Sequence, residues 1–136
     1  MTTVRDIMTQ GADSVDGSTT VLEVAKRLAA EDYGSLPICD GDKLKGMITD
    51  RDIVVKVLAE GKDPASTKVI DLVQGEVVTI GADDSVEEAM QTMSKHQVRR
   101  LPVIDGTKLV GMLAQADLAL NDDDKRVGET VENISQ

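Results

Sequence analysis

Tryptophan and phenylalanine are absent from this chain of 136 residues, and Tyr33 is its only aromatic side chain of that class. Proteins that read single-stranded nucleic acid stack bases on aromatic rings, and a formal net charge of −10 opposes a phosphate backbone. No nucleic-acid partner is expected. The one cysteine, Cys39, leaves no internal disulfide. No secretory leader and no apolar run of about 20 residues is present, so no membrane span and a reducing, cytoplasmic setting are expected. Cys39 lies in an apolar, strand-like run and reads as a small buried hydrophobe rather than a reactive thiol. A lone cysteine and a lone histidine, His96, make no metal-ligand set. Nor does the chain hold a nucleophile beside a base or a Gly-rich phosphate loop, so an enzyme is not expected. With 40% hydrophobic residues and almost no rings, the core has to be aliphatic.

What the chain does contain is one pattern written twice. At an offset of 65 residues, Leu36-Pro37-Ile38-Cys39-Asp40-Gly41 aligns without a gap on Leu101-Pro102-Val103-Ile104-Asp105-Gly106, and Leu44-Lys45-Gly46-Met47-Ile48 on Leu109-Val110-Gly111-Met112-Leu113. Val4/Val69, Asp6/Asp71, Val21/Val86, Glu23/Glu88 and Asp52/Asp117 coincide at the same offset. Self-similarity of this length marks a duplicated folding unit. Each half is near the lower size at which a unit buries enough apolar surface alone. Two domains, residues 1–65 and 66–136, are therefore expected to pack on each other.

Within a repeat, Thr20-Val21-Leu22-Glu23 has the form of a capping box, and Val21, Val24, Ala25, Leu28 and Ala29 follow at helical spacing, predicting a helix over 21–31. Ser85-Val86-Glu87-Glu88 with Ala89, Met90 and Met93 predicts its twin. Two β-rich runs, 35–39 and 44–49, are joined across Asp40-Gly41-Asp42, where Asp-Gly supplies the positive-φ positions of a tight hairpin; the device recurs at Asp105-Gly106. Residues 52–58 read as a second helix closed by Gly61, with Pro64 beyond. Each unit is thus strand, helix, strand, strand, helix, a mixed α/β (α+β) fold. Residues 61–68 read as the linker. The run Asp122-Asp123-Asp124-Lys125-Arg126 reads as a solvated helix end, and Val127-Gly128-Glu129-Thr130-Val131, echoing 4–8 and 69–73, as a packed terminal strap.

Tandem units in this order, each with Leu-Pro-aliphatic-x-Asp-Gly, then Gly-Met-aliphatic, then an Asp opening a helix, resemble the cystathionine β-synthase (CBS) domain family from Val4 to Leu120. Asp50-Arg51-Asp52-Ile53-Val54 and His96-Gln97-Val98-Arg99-Arg100 are similar to segments of small stand-alone bacterial CBS pair proteins. The resemblance implies a Bateman module, two units packed sheet against sheet about a pseudo-twofold axis with two clefts between them. It implies a non-enzymatic sensor of an adenosine-containing ligand such as AMP, ADP, ATP or S-adenosylmethionine, paired as a homodimer and signalling to a client protein. The alternative is a ligand-free dimerisation and protein-interaction module.

Gly46-Met47-Ile48-Thr49-Asp50-Arg51-Asp52 matches the family's Gly-aliphatic-x-Thr-x-x-Asp signature. The resemblance implies that Asp52 takes ribose hydroxyls, with Thr49 near ribose or phosphate and Arg51 beside them. The chemistry fits, since an ionised carboxylate accepts from both hydroxyls of a cis-diol, a helix N-terminus favours anionic oxygens, and Gly46 would let backbone approach closely. The same residues also spell a helix cap, Thr49 as N-cap and Asp52 in the first turn, and both readings stand at this point. Repeat two keeps Asp117 but has Ala114 for the Thr, so its cleft ranks second. Lys95, His96, Arg99 and Arg100 precede Leu101-Pro102, where repeat one has Ala30, Glu31, Gly34 and Ser35. The resemblance implies that Arg99 or Arg100 reaches phosphate of a nucleotide whose ribose sits on Asp52; as plain residues they equally offset an acidic surface. Val15, Tyr33 and Ile38 are the family-equivalent neighbours of adenine in the first cleft, and Tyr33 also reads as a core-edge residue.

Overall fold

The structure, a computed structural model, describes residues 2–11 and 13–120; the charged run and the terminal strap expected beyond 121 lie outside the described residues. In chain order the elements are α1 (Val4–Ile7), β1 (Thr9–Gln10), β2 (Val15–Asp16), α2 (Val21–Glu31), β3 (Ser35–Asp40), β4 (Lys43–Thr49), α3 (Asp50–Asp52), a π-helical stretch Ile53–Leu58, a 3₁₀ turn Val69–Leu72, β5 (Ile80–Gly81), α4 (Val86–His96), β6 (Arg100–Asp105), β7 (Lys108–Ala114) and α5 (Gln115–Leu120). The strand, helix, strand, strand, helix order expected of each repeat is present in both.

Two compact units form, and their limits differ from the sequence halves 1–65 and 66–136. One is Asp13–Val77; the other joins residues 2–11 to residues 78–120. The repeats have traded their opening segments, because each opener carries a valine that is completely buried, Val4 or Val69, in the core of the opposite repeat's body.

In the Asp13–Val77 unit, β2 runs parallel to β3 and β3 antiparallel to β4. Helix α2 covers Val21–Glu31 as its periodicity predicts, burying Val21, Val24 and Leu28 against Leu36, Ile38, Ile48 and Val57. Thr20 Oγ1 accepts from Glu23 N at 3.2 Å, and the helix ends at Asp32 in the left-handed region, φ 55. The segment read as a linker caps this helix: Val21 N donates to Thr67 O and Leu22 N to Pro64 O, both at 2.9 Å. The hairpin turns at Gly41-Asp42, and of the Asp-Gly pair only Gly41, φ 63, takes positive φ. Beyond Asp52 the expected α-helix is wound wider, with Ala59 N donating to Val54 O and Lys62 N to Val57 O, the i→i−5 pattern of a π-helix. Ile53, Val54 and Val55 are β-branched and stiff against the preceding turn; Leu118, Ala119 and Leu120 stand at the same offset in repeat two and lie in α5, α-helical as far as the described residues run.

The other unit repeats the plan. β5 is parallel to β6, β6 antiparallel to β7, and β1 adds an antiparallel edge through Thr9↔Met112 and Gln10↔Gly111. α4 opens with Ser85 Oγ accepting from Glu88 N at 3.1 Å and ends at Gln97, φ 53. The core is again aliphatic, with Met93, Leu101, Val103, Leu113 and Leu118 around the docked Val4.

Each traded opener lies against a glycine of its sheet. Val69 N donates to Thr19 O and Ile70 N to Gly17 O, and Val73 then covers Gly46, where a Cβ would stand 2.6 Å from Val73 Cγ2. In the other unit Val4 N donates to Asp84 O and Arg5 N to Ala82 O, the Arg5 guanidinium pairs with Asp83 and Asp105, and a Cβ on Gly111 would stand 2.6 Å from Thr9 O. Gly46 is small to seat the opener; the expectation that it admits a ligand to the backbone gives way to that role.

Gly46→Ala is expected to cost about 1–3 kcal/mol by overpacking and to recover most of that in Gly46→Ala/Val73→Ala. Gly111→Ala is expected to cost more, since its obstacle is a backbone carbonyl that no side-chain substitution removes. Urea denaturation measures both; a Gly46→Ala variant as stable as wild type would show that Val73 does not hold the opener in place.

Candidate functional site

The last residue of β4, Thr49, leaves the sheet at φ −116, ψ 161 and caps the helix that follows. Asp52 N donates to Thr49 Oγ1 and Thr49 N to Asp52 Oδ2, both at 3.0 Å, while Asp50 N donates to Gly34 O at 3.1 Å. The capping reading of Thr49-x-x-Asp52 is therefore built, with both bonds of the box made. Asp52 is not used up by it. A carboxylate offers about four lone-pair directions, and the Asp52 side chain is 24% exposed. Its second oxygen, Oδ1, faces Lys56 Nζ at 3.3 Å, and the same ammonium donates to Leu72 O at 3.3 Å.

Lys56 was not among the sequence candidates, although its Asp-to-Lys i, i+4 spacing is the signal that would have marked it. Arg51 is exposed one residue from Asp52, its amide on Asp50 Oδ1 at 2.7 Å. Val15 and Ile38 are register partners across β2 and β3 and are buried core residues, 5% and 0% exposed. Tyr33 is partly buried and packs on the same core, the core-edge position. The structure thus brings Thr49, Asp52 and Lys56 together, places Arg51 beside them, and sets Val15, Ile38 and Tyr33 in the packing beneath the sheet and helix.

In repeat two, Ala114 N donates to Asp117 Oδ2 at 2.7 Å, but with no hydroxyl at Ala114 the box is half made. Gln115 N donates to Arg99 O at 2.8 Å, the counterpart of the Asp50–Gly34 bond, and Arg100 is the register partner of Ala114. Arg99 and Arg100, both exposed, flank the helix start that carries Asp117, in the unit of that aspartate. His96 is exposed at the end of α4. Cys39 is buried, and burial pushes its thiol up, with a contact to the Ser14 side chain offsetting part of the shift. Among the described residues no group of three or more His, Cys, Asp or Glu is placed to hold a metal ion, and no helix is long and apolar enough to cross a membrane.

The CBS domain pattern matches residues 4–59 and 69–123. Hypoxic response protein 1 of Mycobacterium tuberculosis is 44% identical over 120 residues, 88% of this chain and 84% of that protein. The CBS domain-containing protein YhcV of Bacillus subtilis is 38% identical over 136 residues, 99% of this chain and 96% of that protein. Among solved structures, that of Hypoxic Response Protein I with two coordinated zinc ions has a TM-score of 0.82 over 88% of this chain and 98% of its own. The CBS domain pair of protein MJ0100, in complex with 5′-methylthioadenosine and S-adenosyl-L-methionine, has a TM-score of 0.74 at 30% identity, over 88% of this chain and 94% of its own. The zinc of the first neighbour finds no matching three-ligand cluster among the described residues of this chain.

The two helix starts differ by one hydroxyl, which a pair of substitutions isolates. Thr49→Ala is expected to lower stability by about 1 kcal/mol and Ala114→Thr to raise it by a similar amount, the usual worth of an N-cap oxygen. Thermal melts of both variants check this; a neutral Thr49→Ala would show that the box contributes nothing to holding the turn.

Proposed function

The chain belongs to the CBS domain family as a tandem pair, and from that premise we propose a cytoplasmic regulatory module without catalytic chemistry, whose Asp52 carboxylate takes the ribose hydroxyls of an adenosine-containing ligand. The observation that carries the reading is the state of Asp52: it is fixed by the Thr49 cap, partly exposed, and left with acceptor capacity beyond the cap. A positioned carboxylate at a helix start is the group a cis-diol requires. AMP, ADP, ATP and S-adenosylmethionine are the candidates, and the adenosyl ligands bound by the CBS pair of MJ0100 support that class. Arg51 stands one residue from the carboxylate, Val15, Tyr33 and Ile38 belong to the core of the same unit and are the proposed adenine neighbours, and Arg99 and Arg100, beside Asp117, are the proposed phosphate residues, a guanidinium fork being suited to phosphate. The wide turn after Asp52 leaves Val54, Val55 and Leu58 exposed by 56%, 48% and 57%. Apolar surface of this kind on a soluble fold marks an interaction face, and a second copy of the chain is the occupant proposed for it, with a client protein receiving the signal.

A second reading, a ligand-free dimerisation and protein-interaction module, is favoured by one observation: the Thr49–Asp52 cap is complete without any ligand. Melting separates the two. A ligand at a hundred times its Kd stabilises by about 2.7 kcal/mol, so millimolar AMP, ADP, ATP or S-adenosylmethionine is expected to raise the melting temperature, Asp52→Asn to abolish the rise, and Asp117→Asn to reduce it less. No rise with any of them leaves the ligand-free module standing; equal losses overturn the ranking of the two aspartates. For assembly, sedimentation is expected to find a dimer, and Val54→Glu/Leu58→Glu a folded monomer. A dimer that survives those charges must be joined elsewhere.

A further inference from the structure

The Lys56 ammonium touches two things that the sequence keeps apart, the Asp52 carboxylate and the carbonyl that closes the Val69–Leu72 turn. Both distances are 3.3 Å, and both groups lie in the Asp13–Val77 unit. Lys56 is about one-third exposed and Asp52 one-quarter, so the pair is screened less than a pair on the open surface. Leu72 belongs to the opener whose next residue, Val73, covers Gly46, and whose amides at Val69 and Ile70 are bonded to Thr19 O and Gly17 O. No other lysine or arginine of this unit is bonded both to Asp52 and to the opener. At the same offset repeat two has Asn121 in place of Lys56, so the charge that makes the connection exists in one copy alone.

We propose that Lys56 is a latch, a positioning residue that ties the Val69–Leu72 opener to the candidate ligand carboxylate and releases it when a ligand takes Asp52. The inference rests on the adenosyl-ligand reading for its trigger, and on the two Lys56 contacts for the latch itself. With Asp52 unliganded, Oδ2 is occupied by the cap and Oδ1 faces the ammonium, so Lys56 stays poised over Leu72 O. A ribose diol that donates to Asp52 competes at Oδ1, the oxygen not committed to the cap. The ammonium then gives up its position between carboxylate and carbonyl. The carbonyl of Leu72 is left to water, and the opener loses its only charged tether to the helix. Occupancy of the carboxylate is thereby transmitted to the segment that joins the two units in sequence. By the same competition, Lys56 opposes binding: it holds the oxygen that the ligand needs, so its removal tightens the ligand while loosening the opener.

Amide hydrogen exchange at Val69, Ile70 and Val73 of the full chain reads the latch without any ligand. Lys56→Met and Asp52→Asn are each expected to speed exchange at these amides about threefold, the scale of a partly exposed ion pair, with α2 and α4 unchanged and Lys56→Arg close to wild type. Unchanged exchange at the three amides in Lys56→Met overturns the latch whether or not any nucleotide binds. With AMP, ATP and 5′-methylthioadenosine as probes, wild type is expected to show the same acceleration on binding, while Lys56→Met shows none and binds the probe several-fold more tightly. A probe that raises the melting temperature yet leaves the three amides as they were, or that binds Lys56→Met more weakly, overturns the coupling and leaves the sensor reading intact. A chain that none of the probes stabilises loses the sensor reading, and the ligand-free exchange then decides the latch by itself.

Discussion

Each unit is closed by a segment that arrives from the other repeat and lies on a glycine. Val73 over Gly46, and Thr9 with Met8 over Gly111, are contacts that no residue with a Cβ at 46 or 111 could make unmoved. Much else is set by them. The glycines sit in β4 and β7, the strands that lead into the helix starts at Thr49 and Ala114. The openers bury Val4 and Val69 completely, each worth about 1.5–3 kcal/mol of transfer free energy, which is substantial in cores built almost wholly of aliphatic side chains. The opener whose Val73 covers Gly46 also carries the Leu72 carbonyl that Lys56 touches.

The helices were legible because α2 and α4 carry their start chemistry in the sequence: Thr20 and Ser85 cap as read, and Val21, Val24, Leu28, Ala89, Met90 and Met93 face the core, while Ala29, read on the same face, is exposed. The hairpins were legible from Asp-Gly, although only the glycine adopts positive φ. The traded openers were not legible. The 65-residue offset aligns Val4 with Val69, but an alignment is blind to which body a segment docks on, and a valine at either place is equally content in either core. The π-winding after Asp52 escaped for a related reason. Period alone marks 52–58 as helical and carries no signal of turn width. At the site, Thr49 and Asp52 were legible as a pair that could cap or bind, and the box in the structure is the capping half of that ambiguity. Lys56 was missed because the family signature ends at Asp52.

The two copies also show why their side chains were free to diverge. Gly34 and Arg99 perform one task with one group, the carbonyl that accepts from Asp50 N or Gln115 N, and a carbonyl is common to every residue. Ser35 and Arg100 likewise hold their strand positions through backbone pairing with Thr49 and Ala114. The backbone meets the structural demand in both repeats and leaves the side chains to differ: a hydroxyl with a lysine in one, a pair of arginines in the other.

The exchange of openers fixes an order of events during synthesis. Residues 13–77 form a continuous stretch, and its docking partners, Thr19 with Val69 and Thr20 with Lys68, are all present once that stretch has left the ribosome. Residues 3–9 are in the opposite position. Thr3 waits for Ser85, Val4 for Asp84, and Thr9 for Met112, so that segment leaves the ribosome before its burial site is made. Residues 3–9 are completed by residues 82–112, while residues 13–77 carry their own docking partners.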